Sequence, residues 1–156
     1  MPVPEYILKL RKKIGNDLLW LPGVRGVVVD DAGRVLLAQR ADNRQWALVS
    51  GILDPGEQPA RGLVREIFEE TGVVAEAERV VSVGAVGPFT YPNGDVCEFL
   101  DVVFLCRYVS GTARINDDES LAVGWFSTDE LPELMPGHLT SIRHALAPAA
   151  DTHFEP

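Results

Sequence analysis

Three glutamates on the final turns of one helix constrain this chain more than any other feature. Residues 58–71 read as a helix, with Pro59 near the first turn and Gly72 just past the end. Glu66, Glu69 and Glu70 stand at i, i+3 and i+4, so their carboxylates share one face. Like charges at that spacing destabilise a helix by roughly a few tenths of a kcal/mol per pair. Glu69 and Glu70 also occupy the last turn, where the helix dipole disfavours anions. Two local rules are broken at one place, which marks sites where something outside the helix compensates. A hard cation is the simplest compensation, because magnesium, manganese and calcium bind through oxygen and need no histidine or cysteine. Magnesium shares its coordination positions with waters and substrate phosphates. The acidic helix end beside a glycine-containing loop therefore points to phosphate chemistry. Taken alone, a glutamate cluster is more often a solvated face; the surrounding pattern overturns that reading here.

The remainder of the chain gives this helix a framework. Residues 4–15 form a first helix, with Tyr6, Ile7, Leu10 and Ile14 on one face and Lys9, Lys12 and Lys13 towards the other. Gly15 and Leu21-Pro22-Gly23 break that pattern. The β-branched run 24–30 and the apolar run 34–40, joined by Asp30-Asp31-Ala32-Gly33, predict a hairpin. Short strands are expected at 46–49 and 122–126, longer ones at 80–86 and 98–109, and a last helix at 138–147. A Gly/Pro-rich loop spans 87–95. Strands interleaved with helices in 156 residues suit a single α/β domain with a sheet between helical layers. Its expected divisions are a lead-in at 1–20, the domain proper at 21–147 and a loose tail at 148–156.

The helix belongs to a longer pattern: Gly51, five residues, Glu57, seven residues, then Arg65-Glu66-Ile67-Phe68-Glu69-Glu70-Thr71-Gly72-Val73. This resembles the Nudix box, GX5EX7REUXEEXGU with U aliphatic, and matches every fixed position. The resemblance implies a Nudix fold, an α/β/α sandwich around a mixed central sheet. It also implies metal-dependent hydrolysis of a nucleoside diphosphate linked to another group. By position, Glu66, Glu69 and Glu70 would hold the metal with the backbone carbonyl of Gly51, and Glu57 would reach it through water. Arg65 would pair with Glu57 and fix the helix against the preceding loop. Magnesium is the implied cofactor, with manganese as the alternative. One departure is Leu48-Val49-Ser50-Gly51, where many members read Leu-Pro-Gly-Gly. It puts the local loop geometry in question and leaves the carboxylates intact.

The resemblance leaves the general base open between a box glutamate, Glu69 or Glu70, and one on a later loop. Glu119, within Asn116-Asp117-Asp118-Glu119-Ser120, is the preferred residue outside the box, against the alternative of a solvated acidic turn, and Glu98 is a weaker choice. Arg25, Arg40 and Arg44 are candidate phosphate contacts, each weighed against an ordinary surface charge. Phe89 and Tyr91 are the candidates for stacking on a base, whereas Trp46 beside Ala47-Leu48 reads as core. Within the family, a proline or a tyrosine at this distance from the box points to different substrates. The chain carries both Pro88 and Tyr91, so the marker is undecided.

Charge and composition narrow the partners. A net charge of −9 and a pI near 4.7 argue against tight binding to a nucleic acid polymer and leave a small nucleotide-type substrate. No apolar run long enough to cross a membrane is present, and no cleavable leader follows the basic N-terminal residues, so a cytoplasmic location is expected. Cys97 and Cys106 lack metal-ligand spacing and read as buried thiols, and His138, His144 and His153 as structural or exposed. A homodimer through the apolar face of the first helix is left open. So are two other readings: a non-catalytic Nudix-fold nucleotide-binding or regulatory module, and an isomerase of isoprenoid diphosphates.

Overall fold

A computed structural model describes residues 3–156; Met1 and Pro2, counted in the lead-in, lie outside the described residues. The elements run α1 (Glu5–Ile14), β1 (Leu19–Val29), β2 (Val35–Arg40), β3 (Trp46–Ala47), β4 (Val49–Ile52), α2 (Pro59–Thr71), β5 (Val73–Thr90), β6 (Val96–Gly111), β7 (Ser120–Phe126) and α3 (His138–Leu146). The strands form one mixed sheet. β1 pairs in parallel with β6 along its whole length, from Leu19 opposite Cys97 to Val29 opposite Arg107. β5 and β6 form a long antiparallel hairpin, β4 pairs antiparallel with β1, and β7 with β2.

Alternation along the strands directs side chains to two cores. Val24, Val28 and Leu36 face α2 and pack with Leu63, Ile67 and Val73. Their neighbours Val27, Val35 and Leu37 face the other way, with Val103 of β6 and with Ile142 and Ala145 of α3. The result is the expected α/β/α sandwich. α1 closes a third, smaller cluster through Ile7, Leu19, Leu21 and Cys97. Of its expected apolar face, Ile7 is buried while Leu10 is exposed.

Several boundaries differ from the sequence expectation for identifiable reasons. β1 begins at Leu19 and passes through Pro22 and Gly23. On the β6 side Pro22 lies opposite Leu100, and its carbonyl accepts the Leu53 N–H at 3.1 Å, so turn residues are accommodated within a strand. The expected hairpin between the first two strands is joined at a single pair, Val29 with Val35, because β1 turns to β4 and β6 and β2 turns to β3 and β7. The loop expected at 87–95 is shorter, since β5 continues to Thr90 with a register shift between Val86 and Phe89. The tail expected to be loose is tied to the edge of β5: the His153 N–H donates to Val81 O at 2.8 Å, and His153 O accepts the Val83 N–H at 3.1 Å.

Two side-chain expectations match the structure. Trp46 packs edge-on against Phe126 at a centroid distance of 4.8 Å. Both cysteines are free and buried. Among the described residues no helix is long and apolar enough to cross a membrane.

His138 is a buried polar residue that ties the α3 layer to the sheet. Its Nδ1 accepts the backbone N–H of Leu48 at 2.9 Å, in the break between β3 and β4. Burial, and then the charges of Arg25 and Arg40, push its pKa down to about 3. The imidazole is neutral in the fold and ordinary in the unfolded chain, so its contribution is present above pH 6.5 and is lost as pH falls towards the folded value. Between pH 7 and pH 5 the wild type should lose on the order of 1–2 kcal/mol more than His138→Gln, which accepts the same bond without titrating. Parallel urea-denaturation profiles for the two proteins over that range would contradict this account.

Candidate metal and phosphate site

The helix α2 carries the acidic residues, and its packing decides which of them leave solvent. Pro59 supplies the first turn, and Gly72 ends the helix in a left-handed conformation (φ 69°, ψ 6°), its N–H donating to Phe68 O at 2.9 Å. Leu63 and Ile67 face the sheet and are fully buried, which places Glu66 and Glu70 on the same inward side. Glu66 is 1% exposed and Glu70 9%, whereas the Glu69 side chain is half-exposed.

Gly51 makes the burial of Glu66 possible. It lies within β4, opposite Val24, and not in the loop expected from the sequence. A Cβ added there would stand 2.5 Å from Glu66 Cγ and 2.8 Å from Glu66 Oε1. Any side chain at this position would expel the carboxylate. The Val49-Ser50 departure is absorbed because both residues are regular strand positions.

Two inward carboxylates share a poorly solvated space. Burial raises the Glu66 pKa, with the Arg65 charge opposing it and Glu69 adding to it. Burial, and then the neighbouring charges of Glu66 and Asp117, push Glu70 up to about 8, with Arg40 opposing them. Asp117 is itself raised by burial and by Asp118. It was not singled out in the sequence, where only its place in an acidic run distinguished it.

Arg65 is the cation these groups share. Its Nε and Nη2 donate to Glu57 Oε1 and Oε2 at 2.8 and 3.0 Å, a bidentate pair, and Nη1 donates to Glu66 Oε1 at 2.9 Å and Glu69 Oε2 at 3.0 Å. The bond from Glu57 is the main cause of a raised Arg65 pKa, and the same bond holds Glu57 low. Among the described residues no three acidic, histidine or cysteine side chains converge into a closed cage. The donor set still fits a hard divalent cation: it is all oxygen, two of its members are buried beside one another, and glycine at position 51 leaves room for nothing larger. Glu57 is held at the rim by Arg65.

The remaining candidates fall into two groups. Arg40 lies within electrostatic reach of Glu70 and Tyr91, so the structure brings it to the acidic site. Its Nε and Nη2 are held by both oxygens of Asp42, at 2.9 and 2.6 Å. Tyr91, on the turn between β5 and β6, faces this pair. Glu119 is partly buried at the entrance to β7, its carbonyl accepting the Ala41 N–H at 2.7 Å and its own N–H donating to Asp117 Oδ1 at 3.0 Å. Arg25 is placed differently. It points to the α3 side of the sheet, pairs with the buried Asp101 at 2.9 Å and has a buried Nε without a partner, so it is committed to the interior. Arg44 is exposed with φ 63°, and Phe89 is exposed over Phe99 at 6.1 Å. Glu98 lies on β6 opposite Trp20.

The buried carboxylates have a measurable consequence. A carboxyl whose folded pKa is raised from 4.5 to about 8 stabilises the fold fully below pH 4.5 and loses that contribution as pH rises through 8. In EDTA, wild type should lose on the order of 2–3 kcal/mol between pH 5 and pH 8 through this group. Glu70→Gln should remove most of the slope, and adding magnesium at pH 8 should restore stability to wild type but not to the variant. Identical pH profiles for the two proteins in EDTA would refute the burial of a charged Glu70.

Comparison with known proteins places the site in a family. The family model described as the NUDIX domain matches residues 20–145. A MutT-like protein of Streptomyces ambofaciens is 38% identical over 112 residues, which cover 72% of this chain and 67% of that protein. The human 8-oxo-dGDP phosphatase NUDT18 is 32% identical over 141 residues, or 86% of this chain and 39% of the human protein's length. The crystal structure of an ADP-ribose pyrophosphatase from Streptococcus suis superposes with a TM-score of 0.67 at 27% identity, covering 86% of this chain and 98% of that one. The chain belongs to the NUDIX family and is a hydrolase of phosphoric anhydride bonds.

Proposed function

We propose that this hydrolase is a divalent-metal-dependent pyrophosphohydrolase of small nucleotides, cleaving a nucleoside diphosphate linked to another moiety by water attack on phosphorus. The observation that carries the reading is the pair of buried carboxylates, Glu66 and Glu70, the first packed against a strand glycine with no room for a side chain. Glu66, Glu69 and Glu70, with the Gly51 carbonyl, would hold magnesium or manganese, and Glu57 would stand behind them through Arg65. The ion, when bound, neutralises the diphosphate and makes a bound water a better nucleophile.

The protein's own groups do the rest. Arg65 keeps the helix and the segment before it in register, and its bonds to Glu57 orient the guanidinium towards Glu66 and Glu69. Arg40, pre-set by Asp42, presents positive charge beside Glu70 for a phosphate oxygen. Tyr91 offers a ring on the same side for a base or ribose. Glu119 is the group we assign to take the water proton, with Asp117 bonded to its backbone and fixing the turn. ADP-ribose, 8-oxo-dGDP, nucleoside triphosphates and nucleotide sugars are the substrates to test first, on the names of the relatives and on the chemistry of the site.

A panel of these compounds with magnesium or manganese, scored for released phosphate or monophosphate, tests the reading. Turnover of at least one is expected. Loss of a ligand in Glu66→Gln or Glu69→Gln should lower kcat by at least about 100-fold, the equivalent of a few kcal/mol of transition-state stabilisation. No turnover on any diphosphate, together with unchanged metal binding in Glu69→Gln, would leave a non-catalytic nucleotide-binding module as the better description.

A further inference from the structure

The end of α2 poses a problem that its own residues do not solve. An α-helix leaves its last four carbonyls without intrahelical partners and concentrates partial negative charge there. In α2 the last turn adds Glu69 and Glu70 and contains no basic residue. Gly72 answers only Phe68 O.

A remote segment supplies the rest. Leaving β6, the chain crosses back over the helix end. The Arg114 N–H donates to Thr71 O at 3.0 Å, and the Asn116 N–H to Glu70 O at 3.2 Å. The Asn116 side-chain amide donates to Phe68 O at 3.0 Å and to Glu69 O at 3.1 Å. All four terminal carbonyls, Phe68 to Thr71, thereby accept bonds from Arg114 and Asn116. The Arg114 guanidinium lies over the left-handed Gly72, with Nη1 2.8 Å from where a Cβ would stand, and so brings a positive charge to the negative helix end. Its Nη2 donates to Asn116 Oδ1 at 3.1 Å, which fixes the amide with its nitrogen towards the helix.

We infer that Asn116, oriented by Arg114, is a positioning residue for the divalent-cation site: it clamps the helix end that bears Glu69 and Glu70. Asp117 and Glu119 follow the clamp directly along the chain, so the same bonds set the distance between the helix carboxylates and those of the loop. The inference rests on the metal-dependent reading above. Neither residue touches the cation or the substrate in this account, and both act through the backbone of α2. The two backbone N–H bonds survive any side-chain change, so substitution of Asn116 loosens the helix end without detaching the segment.

The test is calorimetric titration of the full chain with manganese, alongside melting in EDTA. Asn116→Ala removes both side-chain donors. Asn116→Asp removes them at nearly constant shape and sets a negative charge against the carbonyls. Manganese affinity should fall about 3-fold in Asn116→Ala and about 10-fold in Asn116→Asp, with melting in EDTA within a few degrees of wild type. The activity counterpart is a higher metal concentration for half-activation, with substrate KM at saturating metal unchanged. If Asn116→Asp does not fold, the Asn116→Ala titration decides. Wild-type affinity in a folded variant overturns the clamp and leaves the metal reading standing. Absence of manganese binding in wild type overturns the metal reading, and the clamp with it.

Discussion

The contact between Glu66 and Gly51 governs how the rest of the molecule is arranged. A carboxylate taken out of water is costly unless something answers its charge, and here two are taken out side by side. That arrangement needs α2 pressed closely onto the sheet. Glycine at 51 admits the Glu66 side chain, and Gly26 on β1 faces Leu63 and Ile67 so closely that an added Cβ would stand 3.2 Å from each. The apolar side of α2 supplies the force for this approach, since Leu63 and Ile67 are fully buried and each contributes on the order of 1.5–3 kcal/mol. The hydrophobic face of the helix therefore holds its acidic face in a place where the charged carboxylate form is disfavoured.

This explains which parts of the protein were legible in its sequence. The box residues were readable because their constraints are local: Glu66, Glu69 and Glu70 share a face through helix geometry, Gly72 ends the helix through its left-handed backbone, and Arg65 reaches Glu57 over one loop. The sandwich followed from the same logic, through alternating strands that divide Val24 and Val28 from Val27. Properties set by distant pairing were not readable. Nothing in Leu21-Pro22-Gly23 announces a strand, because its partners lie at Leu53 and along β6. Arg25 resembled a free cation in sequence, and only the fold puts Asp101 against it. Arg114 and Asn116 carried no signal, since their partners are backbone carbonyls some forty residues away whose identity no side chain reports. Asp117 was hidden by its neighbours, as an acidic run does not say which member turns inward.

The site is thus built from one element and several visitors. α2 provides the carboxylates, β4 the floor, and the segment from Arg114 to Glu119 the far wall. The turn after β2 is tied to that wall through Ala41 and Glu119. Arg40 and Asp42 belong to this turn, so the positive group that faces Glu70 is indirectly braced by the same segment that caps α2. Precision of this kind comes from converging backbone bonds more than from any single side chain, which suits a site that must hold several oxygens at fixed separation.

The charge balance within the site links cation and substrate. Five carboxylates, Glu57, Glu66, Glu69, Glu70 and Asp117, are gathered around two guanidiniums, Arg40 and Arg65, in a chain whose net charge is already −9. A diphosphate approaching this surface alone meets repulsion from the groups that should receive it, and the low local solvation strengthens that repulsion. Arg65 cannot relieve it, because its donors are engaged by Glu57, Glu66 and Glu69. Arg40 offers one charge, itself shared with Asp42. A divalent cation held there would reverse the local sign, so affinity for the anion would rise with cation occupancy, and by reciprocity affinity for the cation would rise with the anion present. An acidic protein would in this way receive an anionic substrate without a basic surface, since the attraction would exist only where the helix glutamates held the ion.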